Sequence, residues 1–125
     1  MPAGYIHPKG LIMSKLLEER LDRTLTALGD PTRRAILRRL SRGETRVTDL
    51  AEPFKISLNS VSKHIRVLEK ASLVTRRREG REHWLAFNRK PLDEAAAWIE
   101  AMRQFWDERL DVLEQELNNE GEKTS

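Results

Sequence analysis

The sequence predicts a mainly α-helical fold with a two-stranded β-hairpin inserted before the last helix, in the order α-α-α-α-β-β-α. Three observations point to it. Apolar residues recur at helical spacing in separate stretches, Pro and Gly punctuate the gaps between them, and residues 73–88 read as strand, turn and return strand about Glu79-Gly80-Arg81. With 125 residues, 38% hydrophobic and 34% charged, the chain has material for one core.

Residues 1–15 contain Pro2, Gly4, Pro8 and Gly10 and read as a flexible leader, with Met13 a second candidate start of translation. The domain proper is expected over 16–117. Leu17, Leu21, Leu25 and Leu28, spaced 4, 4 and 3, mark a first helix closing near Gly29. Asp30-Pro31 opens the second, with Asp30 as N-cap, Pro31 in the first turn, and Ala35, Ile36, Leu37 and Leu40 on its buried side. Val47, Leu50 and Ala51 form a short third helix, capped by Thr45 or Thr48. Ser57 is the N-cap of a fourth helix running to Ala71. Leu73–Arg78 and Glu82–Asn88 are the hairpin strands, and Pro91 opens the longest helix, to about Leu117. Asn118–Ser125 reads as a frayed tail. A short helix, a turn, a second helix and a hairpin make the layout of a winged helix-turn-helix.

Charge is unevenly distributed. Thr32–Lys90 holds 16 Lys and Arg against 6 Asp and Glu, whereas Pro91–Ser125 holds 3 against 10, within a chain of net charge +3. The basic centre attracts phosphates and the acidic end is repelled by them. On a wheel of 100° per residue, Leu58, Val61, Ile65 and Leu68 form the buried stripe of the fourth helix. Asn59, Lys63, Arg66 and Lys70 lie opposite, flanked by Ser60 and Ser62, with no carboxylate at the centre of that face. Amides and cations can pair with base edges in a major groove, and small hydroxyls permit close approach. Asn59, Ser60 and Lys63, near the helix start, are therefore the expected base contacts, with Ser62 and Arg66 at bases or phosphates. His64 sits at the edge of the stripe, where it either packs or reads a base. Arg76, Arg77, Arg78 and Arg81 crowd the hairpin; successive arginines on a strand point to both faces, which suits phosphates beside the groove. Trp84 covers the hairpin base or a dimer junction, and Arg33, Arg34, Arg38, Arg39 and Lys55 add positive potential.

In the last helix Leu92, Ile99, Trp106 and Leu113 recur every seven residues. Ala96, Leu110 and Leu117 fill most of a second heptad position, which Arg103 breaks, while Met102 and Phe105 widen the apolar side. A small domain has little surface to cover so long an apolar face, so its second half calls for a second copy of the chain. The expected dimer surface joins Leu17, Leu21 and Leu25 of the first helix to Ile99, Trp106, Leu110 and Leu113 of the last, and sets two recognition helices about 34 Å apart.

Other functions find less support. Cysteine is absent, which removes disulfides, thiolate metal sites and thiol nucleophiles; no paired His–carboxylate arrangement or glycine-rich phosphate loop suggests an enzyme. No cofactor or metal is expected. No apolar run reaches the ~18–20 residues of a membrane span, and no secretory signal is evident, so a cytoplasmic location is expected. Two alternatives to a sequence-specific regulator of double-stranded DNA stay open: a non-specific architectural DNA-binding protein, and a protein-interaction module docking through the acidic last helix.

Leu28-Gly29-Asp30-Pro31-Thr32-Arg33-Arg34-Ala35-Ile36-Leu37, Val47-Thr48-Asp49-Leu50-Ala51, Val61–Ala71 and Leu73-Val74, in that order, resemble the ArsR (arsenic-repressor-like) family of bacterial regulators over about residues 17–115. The resemblance implies a dimeric winged-helix repressor that binds an inverted-repeat operator and dimerises through its first and last helices. Metal-sensing members carry a Cys-x-Cys motif on the third-helix segment or Asp and His pairs on the last helix. This chain has Arg46-Val47-Thr48-Asp49-Leu50 in the first place, no histidine in the second, and only His7, His64 and His83 scattered elsewhere. It therefore resembles the cysteine-free branch, and arsenic, zinc and persulfide sensing are disfavoured. The residues name no small-molecule inducer.

Overall fold

The computed structural model describes residues 8–124, with side chains described for 14–121. The elements are α1 (Pro8–Leu28), α2 (Pro31–Leu40), β1 (Thr45–Arg46), α3 (Val47–Ala51), α4 (Leu58–Lys70), β2 (Val74–Glu79), β3 (Glu82–Phe87) and α5 (Lys90–Thr124). The chain divides into two compact units, with the boundary after Asp93 inside α5. Residues 8–15, expected in the leader, are helical: Pro8 opens α1, where a missing N–H removes no helical hydrogen bond. Residues 1–7 lie outside the described residues. Residues 118–124, expected to fray, continue α5, since no proline interrupts the helix after Pro91; Ser125 lies outside the described residues.

The α1–α2 corner is built by side chains reaching backbone ends. Asp30 is extended and its carboxylate accepts from Arg33 N at 3.0 Å, while Pro31 takes the first position of α2. That hydrogen bond is the main reason the Asp30 carboxyl is held below its ordinary value; burial opposes it, and nearby His64 and Arg33 lower it further. Arg33 turns back onto α1, donating from Nε to Ala27 O at 2.8 Å and from Nη2 to Thr26 O at 2.9 Å. Arg34 Nη1 donates to Leu28 O at 2.7 Å. Two cations thus meet the last carbonyls of α1, the negative end of its dipole. Both were expected as general positive surface.

The sheet has three antiparallel strands in the order β1-β3-β2, rather than the two expected. β1 pairs Thr45 with Leu85 and Arg46 with Trp84. Two residues are too few to show a period, which is why the sequence hides this strand. Arg46, extended and with no side-chain capping bond, is the N-cap of α3, in place of Thr45 or Thr48. Thr45 is instead buried in the sheet, its hydroxyl donating to Gly43 O. β2 and β3 pair from Val74↔Phe87 to Glu79↔Glu82, leaving a two-residue turn whose first position, Gly80, has φ 62°. Tight hairpin turns that match strand twist need this left-handed conformation.

The core of residues up to Asp93 gathers Ala27 from α1, Ile36, Leu37 and Leu40 from α2, Leu50 from α3, Val61, Ile65 and Leu68 from α4, and Leu73, Val74 and Leu85 from the hairpin. Val61, Ile65 and Leu68 are fully buried, but Leu58, expected on the same stripe, is 53% exposed. It is the first residue of α4, where the stripe has run past the edge of the core. α4 closes in a Schellman turn: Ser72 N donates to Glu69 O, Leu73 N donates to Leu68 O, and Ser72 takes φ 60°. Asn88 fastens the hairpin base to that turn, its side-chain amide donating to Ser72 O at 2.8 Å.

Candidate nucleic-acid interface

α4 begins with Ser57, whose Oγ accepts from Ser60 N at 3.1 Å and donates to Ser60 Oγ at 3.0 Å. The cap thus sets the helix start and orients one of the expected base-contacting hydroxyls. Burial of Val61, Ile65 and Leu68 turns Asn59, Lys63 and Arg66 outward, and all three are exposed. Among the described residues no carboxylate forms an ion pair with Lys63 or Arg66, so both charges face solvent. His64 is placed differently. Its Nδ1 lies 3.4 Å from Arg33 Nη1 and 3.7 Å from Asp30 Oδ2, so it joins α4 to the α1–α2 corner and stands off the outward face.

Strand pleat separates the wing arginines. Arg76 lies on the face of Leu85, while Arg77 is paired across the sheet with Trp84 on the other. Arg76 reaches the α4 carboxylate Glu69, with Nη2–Oε1 2.7 Å and Nε–Oε2 3.3 Å. Arg77 pairs with Glu79 at 2.8 Å and with Glu44. Arg46 meets Asp49 and Glu82, each at 2.8 Å. The Arg46 and Arg77 guanidiniums stand 5.8 and 5.3 Å from the centre of the Trp84 ring, forming a cation–π stack across all three strands. Carboxylate hydrogen bonds hold both guanidiniums above their ordinary pKa, so their charge is permanent. Trp84 therefore braces the middle of the sheet, opposite Arg77, rather than the hairpin base at Val74↔Phe87, one of its two expected places. Arg78, whose Nε donates to Gly80 O, and Arg81 have no carboxylate partner among the described residues.

Between α4 and the wing lies a crevice of about 370 Å³, where Ser62, Arg76 and Arg81 meet Thr48 of α3 and His83 of β3. The geometry thus brings together Asn59, Lys63 and Arg66 on the helix face, Ser62 with Arg76 and Arg81 in the crevice, and Arg78 at the hairpin tip. Arg77 and His64 stand apart from that group.

α5 presents a separate surface. Ile99, Trp106, Leu110, Leu113 and Leu117 are between 46 and 68% exposed. Trp98, Phe105 and Val112, also exposed, repeat at seven residues roughly 100–120° around the helix from the first stripe. Phe105, expected to widen a single stripe, belongs instead to this second one. Trp98 and Val112 had no expected place, although their seven-residue spacing was a usable signal. Phe105 and Trp106 meet edge to face at 6.0 Å. On α1, Leu16, Leu17 and Leu25 are exposed while Thr24 and Ala27 point inward.

No helix among the described residues is long and apolar enough to cross a membrane. The three-stranded sheet, the short α3 and the cationic outer face of α4 define a winged helix-turn-helix DNA-binding regulator. A helix-turn-helix domain model matches residues 28–77. The chain is 33% identical over 79 residues to the transcriptional repressor SdpR of Bacillus subtilis, covering 63% of this chain and 88% of that one. It is 39% identical to an ArsR family transcriptional regulator of known crystal structure, with a TM-score of 0.69 over 72% of this chain and 93% of that one. A homodimeric winged helix-turn-helix DNA-binding domain from Mycobacterium bovis, solved by NMR, is 25% identical with a TM-score of 0.57, over 86% and 93% of the two chains. The chain belongs to the ArsR family of transcriptional regulators. These relatives are regulators rather than enzymes.

Proposed function

We propose that the chain is a cytoplasmic repressor that binds an inverted-repeat operator as a homodimer. Asn59, Ser60 and Lys63 read base edges, Ser62 and Arg66 meet bases or phosphates, and Arg78 and Arg81 lie along phosphates beside the groove. The observation that carries this is the outer face of α4: exposed Asn59, Lys63 and Arg66, free of carboxylate partners among the described residues, beside a crevice edged by Arg76 and Arg81. Repression follows the similarity to SdpR, and the homodimer follows the similarity to the Mycobacterium bovis domain. Leu17, Leu21 and Leu25 of α1 and Ile99, Trp106, Leu110 and Leu113 of α5 are the proposed dimer contacts, since apolar area of this extent is normally covered.

Gel-shift titration against the DNA upstream of the gene, with scrambled competitor and Lys63→Ala as control, tests this. A base reader prefers its operator by ~10³ or more, and engagement of about 6–10 phosphates gives a log–log salt slope of about −5 to −9. Weak binding abolished equally by scrambled DNA would instead indicate an architectural protein. Unchanged DNA affinity on charge reversal of Arg76–Arg78 would indicate a protein-interaction module.

A further inference from the structure

The hairpin is anchored to the body at its base by the Schellman turn at Ser72 and by the Asn88 amide. Further out β3 is held by buried Leu85, paired with Thr45, and by Trp84, paired with Arg46, whereas every residue of β2 beyond Val74 is exposed. Gly80 lies three residues past Arg77, the partner of Trp84, about 10 Å at ~3.3 Å per residue, so a tilt of about 20° there moves the tip by roughly 3.5 Å. A displacement of that size exceeds a hydrogen-bond length and would carry Arg78 and Arg81 away from fixed phosphates.

Next to Arg77, the fork from Arg76 to Glu69 ties β2 itself to α4. Glu69 is on the last turn of α4, the helix whose outer face carries Lys63 and Arg66. Both guanidinium contacts go to one carboxylate, and both side chains are about two-thirds covered. A two-point guanidinium–carboxylate contact fixes orientation as well as distance, which a single point charge does not. A phosphate at Arg76 would have to displace this carboxylate and approach its negative charge. We propose that Glu69 and Arg76 are positioning residues: the fork locks the wing angle to α4 and so sets the distance between base-reading and phosphate-binding side chains. This rests on the operator reading above.

The experiment compares wild type, Glu69→Gln and Arg76→Lys on a duplex selected from a random library by the wild-type chain, and on a scrambled duplex. Glu69→Gln keeps the shape and removes the charge; Arg76→Lys keeps the charge and removes the fork. Both should lower the selected-to-scrambled affinity ratio roughly tenfold, the size of one coupling removed from a network. The salt slope on the selected duplex should become shallower, by up to about one unit for each of Arg78 and Arg81 that no longer meets its phosphate. Tighter binding of Glu69→Gln to both duplexes, with a steeper slope, would mean that Glu69 masks a phosphate-binding Arg76, and would overturn the proposal. So would an unchanged ratio in both variants. Amide hydrogen exchange on the free protein makes the test independent of DNA: residues 76–84 should exchange faster in both variants, with α2 and the core of α4 unaffected. If exchange is unchanged, the fork does not hold the wing. If the variants exchange as expected but wild type shows no selected-site preference, the operator reading fails and the clamp stands.

Discussion

α4 and α5 use their apolar sides in opposite ways. α4 has 13 residues, and Val61, Ile65 and Leu68 have no exposed surface at all. α5 has 35, and Trp98, Ile99, Phe105, Trp106, Leu110, Val112, Leu113 and Leu117 all stand exposed. In α4 the hydrophobic requirement is met inside the chain, which frees the polar face to act. In α5 the apolar face is the part left over, and its two seven-residue stripes offer surface to more than one neighbouring helix. Where a helix has its apolar side buried, function is to be sought on its polar face; where the apolar side is exposed, that side is itself the functional surface.

The strongest way to break this contrast is to spoil the α5 face. Leu110→Glu combined with Leu113→Glu should give a monomer by sedimentation velocity and weaken operator binding by ~10²–10⁴, since two linked half-sites are no longer engaged as a pair. A dimer surviving both charges would remove the assignment of that face. On α4, Lys63→Ala should reduce operator affinity by about 1–3 kcal/mol in gel shifts and leave scrambled DNA far less affected. Arg81→Gln should act uniformly, weakening any duplex and lowering the salt slope by about one unit for each phosphate it no longer neutralises. Arg77→Gln should leave that slope intact, because Glu44 and Glu79 already hold its guanidinium.

Two smaller effects concern the frame that carries α4. Asp30→Ala removes the α2 cap and should cost about 1 kcal/mol in denaturant unfolding. The Asp30 pKa is lowered on folding, so its stabilisation is complete above the ordinary carboxylate value of 3.8 and is lost as pH falls through the lower folded value. Asp30→Asn should therefore flatten the acid limb of the stability profile; an unaltered limb would mean that other carboxylates set it. Ser72→Gly relieves a left-handed residue at φ 60° and should raise stability by about 0.5 kcal/mol, visible as a slightly higher Tm.

The features legible in the sequence were the local ones. The Ser57 cap, the Asp30-Pro31 start, the Val61–Ile65–Leu68 stripe and the Gly80 turn each depend on residues a few positions apart, and each is where the pattern put it. What the pattern could not convey depends on distant partners. Nothing near Arg33 in sequence says that it reaches back to Thr26 and Ala27, and nothing near Arg76 singles out Glu69 over other carboxylates. Four hairpin arginines looked alike as a charge cluster; strand pleat and neighbouring acids then gave them different surroundings. His64 drew its partners from the α1–α2 corner, which helix periodicity leaves open. Leu58 failed for the opposite reason: periodicity continues to a helix end even where the core has stopped.

The Arg33 fork has a consequence for how the protein comes apart. One guanidinium touches carbonyls of α1 and the imidazole of α4 while its own backbone N–H is held at the start of α2. The end of α1 cannot unwind without stripping that guanidinium of its acceptors and removing support from His64. Fraying that begins at this corner is therefore shared by three helices, and their slowest amide protons should exchange through one common opening rather than three independent ones.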